Sequence, residues 1–106
     1  MYIENPIGYH VYYIYILTNK YRTTLYIGVT NNLRRRLQEH LESTNEQSAS
    51  FVGRYNLSNL VYYEKFTWIQ EAIAREKELK KWRRHKKNDL IRSLNPSFEN
   101  LNHHFE

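Results

Sequence analysis

The sequence predicts an α+β domain, a small three-stranded antiparallel sheet flanked by helices in the order ββαβαα. Three observations carry this. β-Branched and aromatic runs occur at residues 11–17 (VYYIYIL), 25–29 (LYIGV) and 60–66 (LVYYEKF). Segments with helical apolar spacing follow the second and third runs. The link between the first two runs, Thr18 to Thr24, is short and polar, which suits an antiparallel hairpin. A sheet with one-sided strands needs helices to cover it.

Each element has its own signal. With a turn centred on Lys20-Tyr21, opposed residue numbers in the hairpin sum to 41. That register sets Tyr15 opposite Tyr26 and Gly28 opposite Tyr13, with both tyrosines on one face. Thr30, Asn31 and Asn32 supply capping side chains for a helix from Leu33 to about Glu42. Residues 43–56 read as a polar loop. After the third strand, Thr67 and Gln70 match a capping box for a long helix reaching about Trp82. A last helix spans about Lys86 to Leu94, with Leu90, Ile91 and Leu94 at helical spacing, and Asn95-Pro96 stops it. The tail 97–106 is expected to be irregular.

The chain has 106 residues, 41% hydrophobic and 25% charged, which describes one globular domain. It contains no cysteine, so disulfides, thiolate zinc sites and cysteine nucleophiles are excluded. The longest apolar stretch, Val11 to Leu17, is too short to span a bilayer. No basic segment precedes it and Glu4 stands there instead, so a cytoplasmic protein without a signal peptide is expected.

The net charge is +5, and its distribution says more than its size. Residues 75–92 hold nine Lys/Arg and three acids, a net +6 that leaves the rest of the chain at −1. A basic stripe on a neutral body is what a phosphate-backbone partner requires, although a solvated helix face has the same composition. Within it, KKWRRHKK (Lys80 to Lys87) offers Lys80, Lys81, Arg83, Arg84, Lys86 and Lys87 as backbone contacts. Trp82 suits the core better than a stacking role.

Three residues break their local pattern. On the first helix, Leu33, Leu37 and Leu41 form the apolar stripe, with Arg36 and His40 beside it and Arg35 and Glu39 opposite. An arginine there sits at the rim of a cleft or lays its stem along apolar surface. On the second helix, Ile69, Ala72, Ile73 and Leu79 mark the apolar face, and Glu76 falls inside that arc. It is either an i,i+4 partner of Lys80 or a carboxylate aimed into a cleft as a hard-cation ligand. Gly28 removes a side chain from a strand, which lets a ligand come close.

Together these residues resemble the GIY-YIG nuclease superfamily. Tyr13-Ile14-Tyr15, ten further residues, and Tyr26-Ile27-Gly28 match its paired motif, with Tyr13 in place of the first glycine. Arg36, His40 and Glu76 follow on helices as that family has them. The similarity covers about residues 10–94. It is closest to small stand-alone bacterial members related to the amino-terminal nuclease domain of the excision-repair endonuclease. It implies a metal-dependent endonuclease in a DNA-repair setting that nicks DNA one strand at a time. It also implies roles. Tyr15 is the general base or orients the attacking water, Tyr26 helps to position that water, and Arg36 binds phosphate and lowers the phenol pKa. His40 bonds a tyrosine or the phosphate, Glu76 holds one Mg²⁺ or Mn²⁺, and Asn88 is a further polar contact. Within 106 residues there is no added recognition domain, so low sequence specificity is expected. The competing expectation is a non-catalytic nucleic-acid-binding module on the same fold.

Overall fold

The structure is a computed structural model that describes residues 11–45 and 55–106. Its elements are β1 (Tyr12–Thr18), β2 (Leu25–Thr30), α1 (Leu33–Asn45), β3 (Asn59–Phe66), α2 (Ile69–Lys81) and α3 (Arg84–Leu94). A 3-10 turn follows at Asn102–Phe105. The order ββαβαα is the one expected. The sheet order is β2-β1-β3 and both pairings are antiparallel. Most of the polar loop read at 43–56 lies outside the described residues, and α1 runs three residues further than expected.

The central place of β1 explains its unbroken apolar run. A middle strand covered on both faces needs no polar side, and Ile14, Tyr15, Ile16 and Leu17 are all at most 1% exposed. Ile14 and Ile16 pack with Ile27, Val61, Tyr62, Leu79 and Ile91 beneath α2 and α3. Tyr15 and Leu17 pack on the other face with Leu33, Leu37, Leu57, Leu60 and Leu101, under α1 and the C-terminal segment.

A bulge separates these layers on β3. Ile16 pairs with Tyr62 and Leu17 with Leu60, which leaves Val61 as the extra residue. Val61 and Tyr62 consequently belong to the same core. Buried Asn95 donates from Nδ2 to the Val61 carbonyl at 3.1 Å, a partner for a backbone group at the break in the ladder. The segment after Pro96 continues this role, against the expectation of an irregular tail. Leu101 N donates to Leu60 O at 2.7 Å, and Leu60 N donates to Asn102 Oδ1 at 2.8 Å. Phe98 and Leu101 are buried. The tail has apolar anchors and asparagines at the open backbone of β3, and so it closes that edge of the sheet.

Other local expectations need correction. The capping box does not form: Trp68 is the N-cap residue of α2 and no side chain caps it. The helix begins one residue later than Thr67 would require, which puts Glu71 at its third position and a negative charge in the first turn. By contrast Asn32 does cap α1, accepting Arg35 N at 3.0 Å. The break between α2 and α3 is only the extended pair Trp82-Arg83, so α3 starts two residues early. Trp82 packs against the core, with Lys86 Nζ 4.1 Å from its ring centre. Leu41 and Leu94 are exposed, because His40 and Ile91 hold the inward positions instead.

Candidate active site

The hairpin register places the tyrosines. The pairs sum to 43, so Tyr15 stands opposite Gly28 and Leu17 opposite Tyr26. The register expected from the sequence is two residues short, because the loop from Asn19 to Thr24 is wider than a tight turn. Asn19 organises it by accepting Thr23 N at 2.8 Å on Oδ1 and Arg22 N at 3.0 Å on its carbonyl. A slip of two keeps each side chain on its face. Tyr15 and Tyr26 are therefore diagonal neighbours, with ring centres 6.2 Å apart.

Gly28 acquires a different role from the one expected. A Cβ on it would stand 2.5 Å from Cζ and from Oη of Tyr15. The space left by the missing side chain holds the Tyr15 ring, not a ligand. Gly28→Ala is expected to cost about 1–3 kcal/mol through overpacking and to displace the Tyr15 hydroxyl. Urea unfolding alongside a cleavage assay checks both effects.

α1 supplies the next two groups. His40 is 4% exposed and its Nε2 lies 2.9 Å from Tyr15 Oη. Its ring centre is 5.7 Å from that of Tyr15 and 5.5 Å from that of Tyr26. Arg36 lies at the rim, where its charge acts on the Tyr15 hydroxyl, and it pairs with Glu39 at 2.9 Å. A phenol hydroxyl can donate, and a neutral imidazole nitrogen can accept.

The electrostatics correct one expectation. Burial pushes the Tyr15 phenol up to about 12, and the neighbouring Arg36 only partly offsets it. Tyr15 is thus a protonated hydroxyl at neutral pH, not a phenolate made by Arg36. His40 moves the other way: burial, then the Arg36 charge, lower it to about 4. It is neutral at pH 7 and able to accept a proton at Nε2.

This shift has a stability consequence. The unfolded chain takes up a proton on His40 near pH 6.5, but the folded chain resists until about pH 4. The contribution is complete above pH 6.5 and is lost as pH falls toward 4, by up to about 3 kcal/mol at 1.36 kcal/mol per unit. Urea unfolding at pH 7.5 and 4.5 is expected to show this loss, and His40→Gln to diminish it.

α2 brings the carboxylate to the same strand. Ile69, Ile73, Glu76 and Lys80 recur at i, i+4, i+7 and i+11, one face of a helix. Ile69 lines an open cleft of about 400 Å³ with Val29, Thr30, Arg35, Arg36 and Glu39. Lys80 lines a second, of about 280 Å³, with Leu25, Tyr26, Ile27 and Lys87. The stripe therefore follows β2 from the Arg36 end to the Tyr26 end, and Glu76 lies between the two clefts. This explains why Ile69 and Ile73 are 42% and 38% exposed, whereas Ala72 and Leu79 are fully buried. Ile69 walls a cleft instead of filling the core.

Glu76 is bonded to Lys80, with Nζ to Oε2 at 3.1 Å, so the i,i+4 pair exists. The Glu76 side chain is nevertheless only 22% exposed. Among the described residues no three His, Cys, Asp or Glu side chains cluster as a metal cage. One half-buried carboxylate fits Mg²⁺ or Mn²⁺, which take most of their oxygens from water and phosphate.

The remaining sequence candidates divide. Lys80 and Lys87 border the Tyr26 cleft. Arg84 is turned to a structural task, donating to the carbonyls of Arg22 at 2.7 Å and Thr23 at 3.1 Å. Its Nε also donates to Asn88 Oδ1 at 3.1 Å, so Asn88 supports Arg84. Lys86 lies on Trp82. Lys81 and Arg83 are exposed. Arg35 and Glu39, read as facing away, line the Arg36 cleft. The sequence signal that could have found Arg35 was its place next to Arg36 just after the cap.

The fold and site define a small nuclease-type domain, with paired strand tyrosines, a helix Arg/His pair and a helix glutamate around one strand. The chain belongs to the family of the GIY-YIG catalytic domain, whose profile matches residues 11–89. A UPF0213 protein of Clostridium perfringens (strain 13 / Type A) is 39% identical over 88 residues, 83% of this chain and 90% of that one. A UPF0213 protein of Natronomonas pharaonis is 36% identical over 80 residues, 76% and 89% of the two chains. The solution NMR structure of the UPF0213 protein BH0048 from Bacillus halodurans superposes with a TM-score of 0.53 at 31% identity. That match covers 85% of this chain and 92% of that one. Among the described residues no helix is long and apolar enough to cross a membrane.

Proposed function

We propose that this protein is a metal-dependent endonuclease that hydrolyses nucleic-acid phosphodiester bonds and nicks DNA one strand at a time. The observation that carries the proposal is the hydrogen-bonded pair Tyr15–His40, at 2.9 Å, beside the charge of Arg36. A buried phenol and a neutral imidazole in contact have little structural reason to sit beside an arginine charge. They make a proton path.

In this reading Arg36 binds two oxygens of the scissile phosphate, to which its planar fork is matched. Tyr26 holds the attacking water beside Tyr15. As the water attacks phosphorus, Tyr15 Oη takes its proton and passes its own to His40 Nε2. The phosphate charge favours protonation of His40, which Arg36 disfavours in the free protein. Glu76 would hold Mg²⁺ or Mn²⁺, which would supply neutralisation of charge on the phosphate and the leaving oxygen. Lys80, now paired with Glu76, would then be free to meet the phosphate backbone. One carboxylate and one tyrosine pair make one site, hence one cut per encounter.

The test is a time course on supercoiled plasmid with Mg²⁺, Mn²⁺ or EDTA. Open circles are expected before linear DNA, with metal only. Tight binding without any cutting in either metal would instead favour a module that only binds.

A further inference from the structure

The two edges of the sheet are treated differently. At β3 the segment Asn95 to Asn102 supplies hydrogen bonds to Leu60 and Val61 and covers the edge. No described strand pairs with the outer edge of β2. The clefts of about 400 and 280 Å³ lie at the two ends of this same strand, one on Val29 and Thr30, the other on Tyr26 and Ile27. Each carries a cation that forms no salt bridge among the described residues, Arg35 in the first and Lys87 in the second. The acid in the first cleft, Glu39, is already held by Arg36. Each end is therefore electropositive, with an apolar wall of Ile69 at one and of Leu25 and Ile27 at the other.

We propose that the open edge of β2 is a track for one nucleic-acid strand, with Arg35 holding the backbone on one side of the reaction site and Lys87 on the other. The track rests on the nuclease reading and adds the path and two specific contacts to it. A strand, not a compact ligand, fits because the cations are separated along the edge. From Tyr26 to Thr30, β2 advances about 13 Å at about 3.3 Å per residue. A stacked strand advances about 3.4 Å per nucleotide, so the track holds about four nucleotides. Charge complementarity selects the backbone as what is gripped, and Val29, Leu25 and Ile69 offer the sugars apolar surface without base-specific donors. Sequence preference is accordingly weak along the track, and the grip is asymmetric: a forked guanidinium at one end and a single ammonium at the other.

The chain has no cysteine, so single cysteines can report the path. Arg35→Cys, Lys87→Cys and, as a control beside the C-terminal segment, Gln38→Cys are labelled with an azidophenacyl photocrosslinker. They are then bound to a short end-labelled oligonucleotide in Ca²⁺. Wild-type protein cut with Mg²⁺ maps the cleavage position on the same oligonucleotide. The expected result is crosslinks from Arg35→Cys on one side of that position and from Lys87→Cys on the other, about four nucleotides apart, with none from Gln38→Cys. Crosslinks from both cysteines on the same side, or no preferred position for either, overturn the track. A melting curve for each variant confirms that it is folded, and Arg35→Gln and Lys87→Gln proteins, compared by binding, carry the test if a label disturbs folding. If wild type does not cut, the nuclease reading fails, while the order of the two crosslinks along the strand still decides the track.

Discussion

Glu76→Gln is expected to lower cleavage by at least about 10²-fold, the scale found when one group that stabilises transition-state charge is removed. The substitution keeps the size of the side chain and removes the charge proposed to hold the cation. DNA binding should persist or strengthen, because a carboxylate near phosphate is gone and Lys80, its partner at 3.1 Å, is released to the backbone. The stability cost should stay small, since an i,i+4 pair contributes only about 0.2–0.5 kcal/mol. If the carboxylate served only Lys80, the variant would cut at the normal rate. The combination of retained folding, retained binding and lost cutting separates a metal ligand from a structural pair. A melt, a binding isotherm and a cleavage rate on the same sample read all three.

Tyr15→Phe is expected to have the second large effect. Removing the hydroxyl takes out the atom bonded to His40 and influenced by the Arg36 charge. General acid–base groups contribute about 10²–10⁴-fold, so cleavage should fall within that range. Here stability should change as well. His40 Nε2 is buried and would lose its partner, a cost of about 1–3 kcal/mol. Tyr26→Phe provides the contrast, because Tyr26 is half-buried and its hydroxyl is not the partner assigned to His40. Its loss should slow cleavage without a comparable loss of stability.

Much of this was legible in the sequence, and the misses have physical reasons. Strand runs and helix periods come from local side-chain patterns, so ββαβαα could be read directly. Motif spacing places Tyr15, Tyr26, Arg36 and His40 on one side of the sheet, because a two-residue error in hairpin register preserves the face. What local pattern does not carry is long-range pairing. The C-terminal segment reads as irregular, yet Asn95, Leu101 and Asn102 meet the edge of β3 across more than thirty residues. The wheel of α2 puts Glu76 in the apolar arc, but only tertiary packing divides that arc into a buried half and a cleft half. The sign of the Tyr15 shift was also out of reach. It depends on burial outweighing Arg36, and one-dimensional spacing gives proximity without depth.

The most direct test of the proposed chemistry is a plasmid-nicking time course with wild type, Tyr15→Phe and Glu76→Gln side by side. Protein is added to equal DNA occupancy in Mg²⁺, with folding verified for each sample. Wild type is expected to accumulate open circles, while both variants remain bound and leave the plasmid supercoiled. A folded Glu76→Gln or Tyr15→Phe protein that nicks at the wild-type rate would contradict the assignment of these two residues to the reaction.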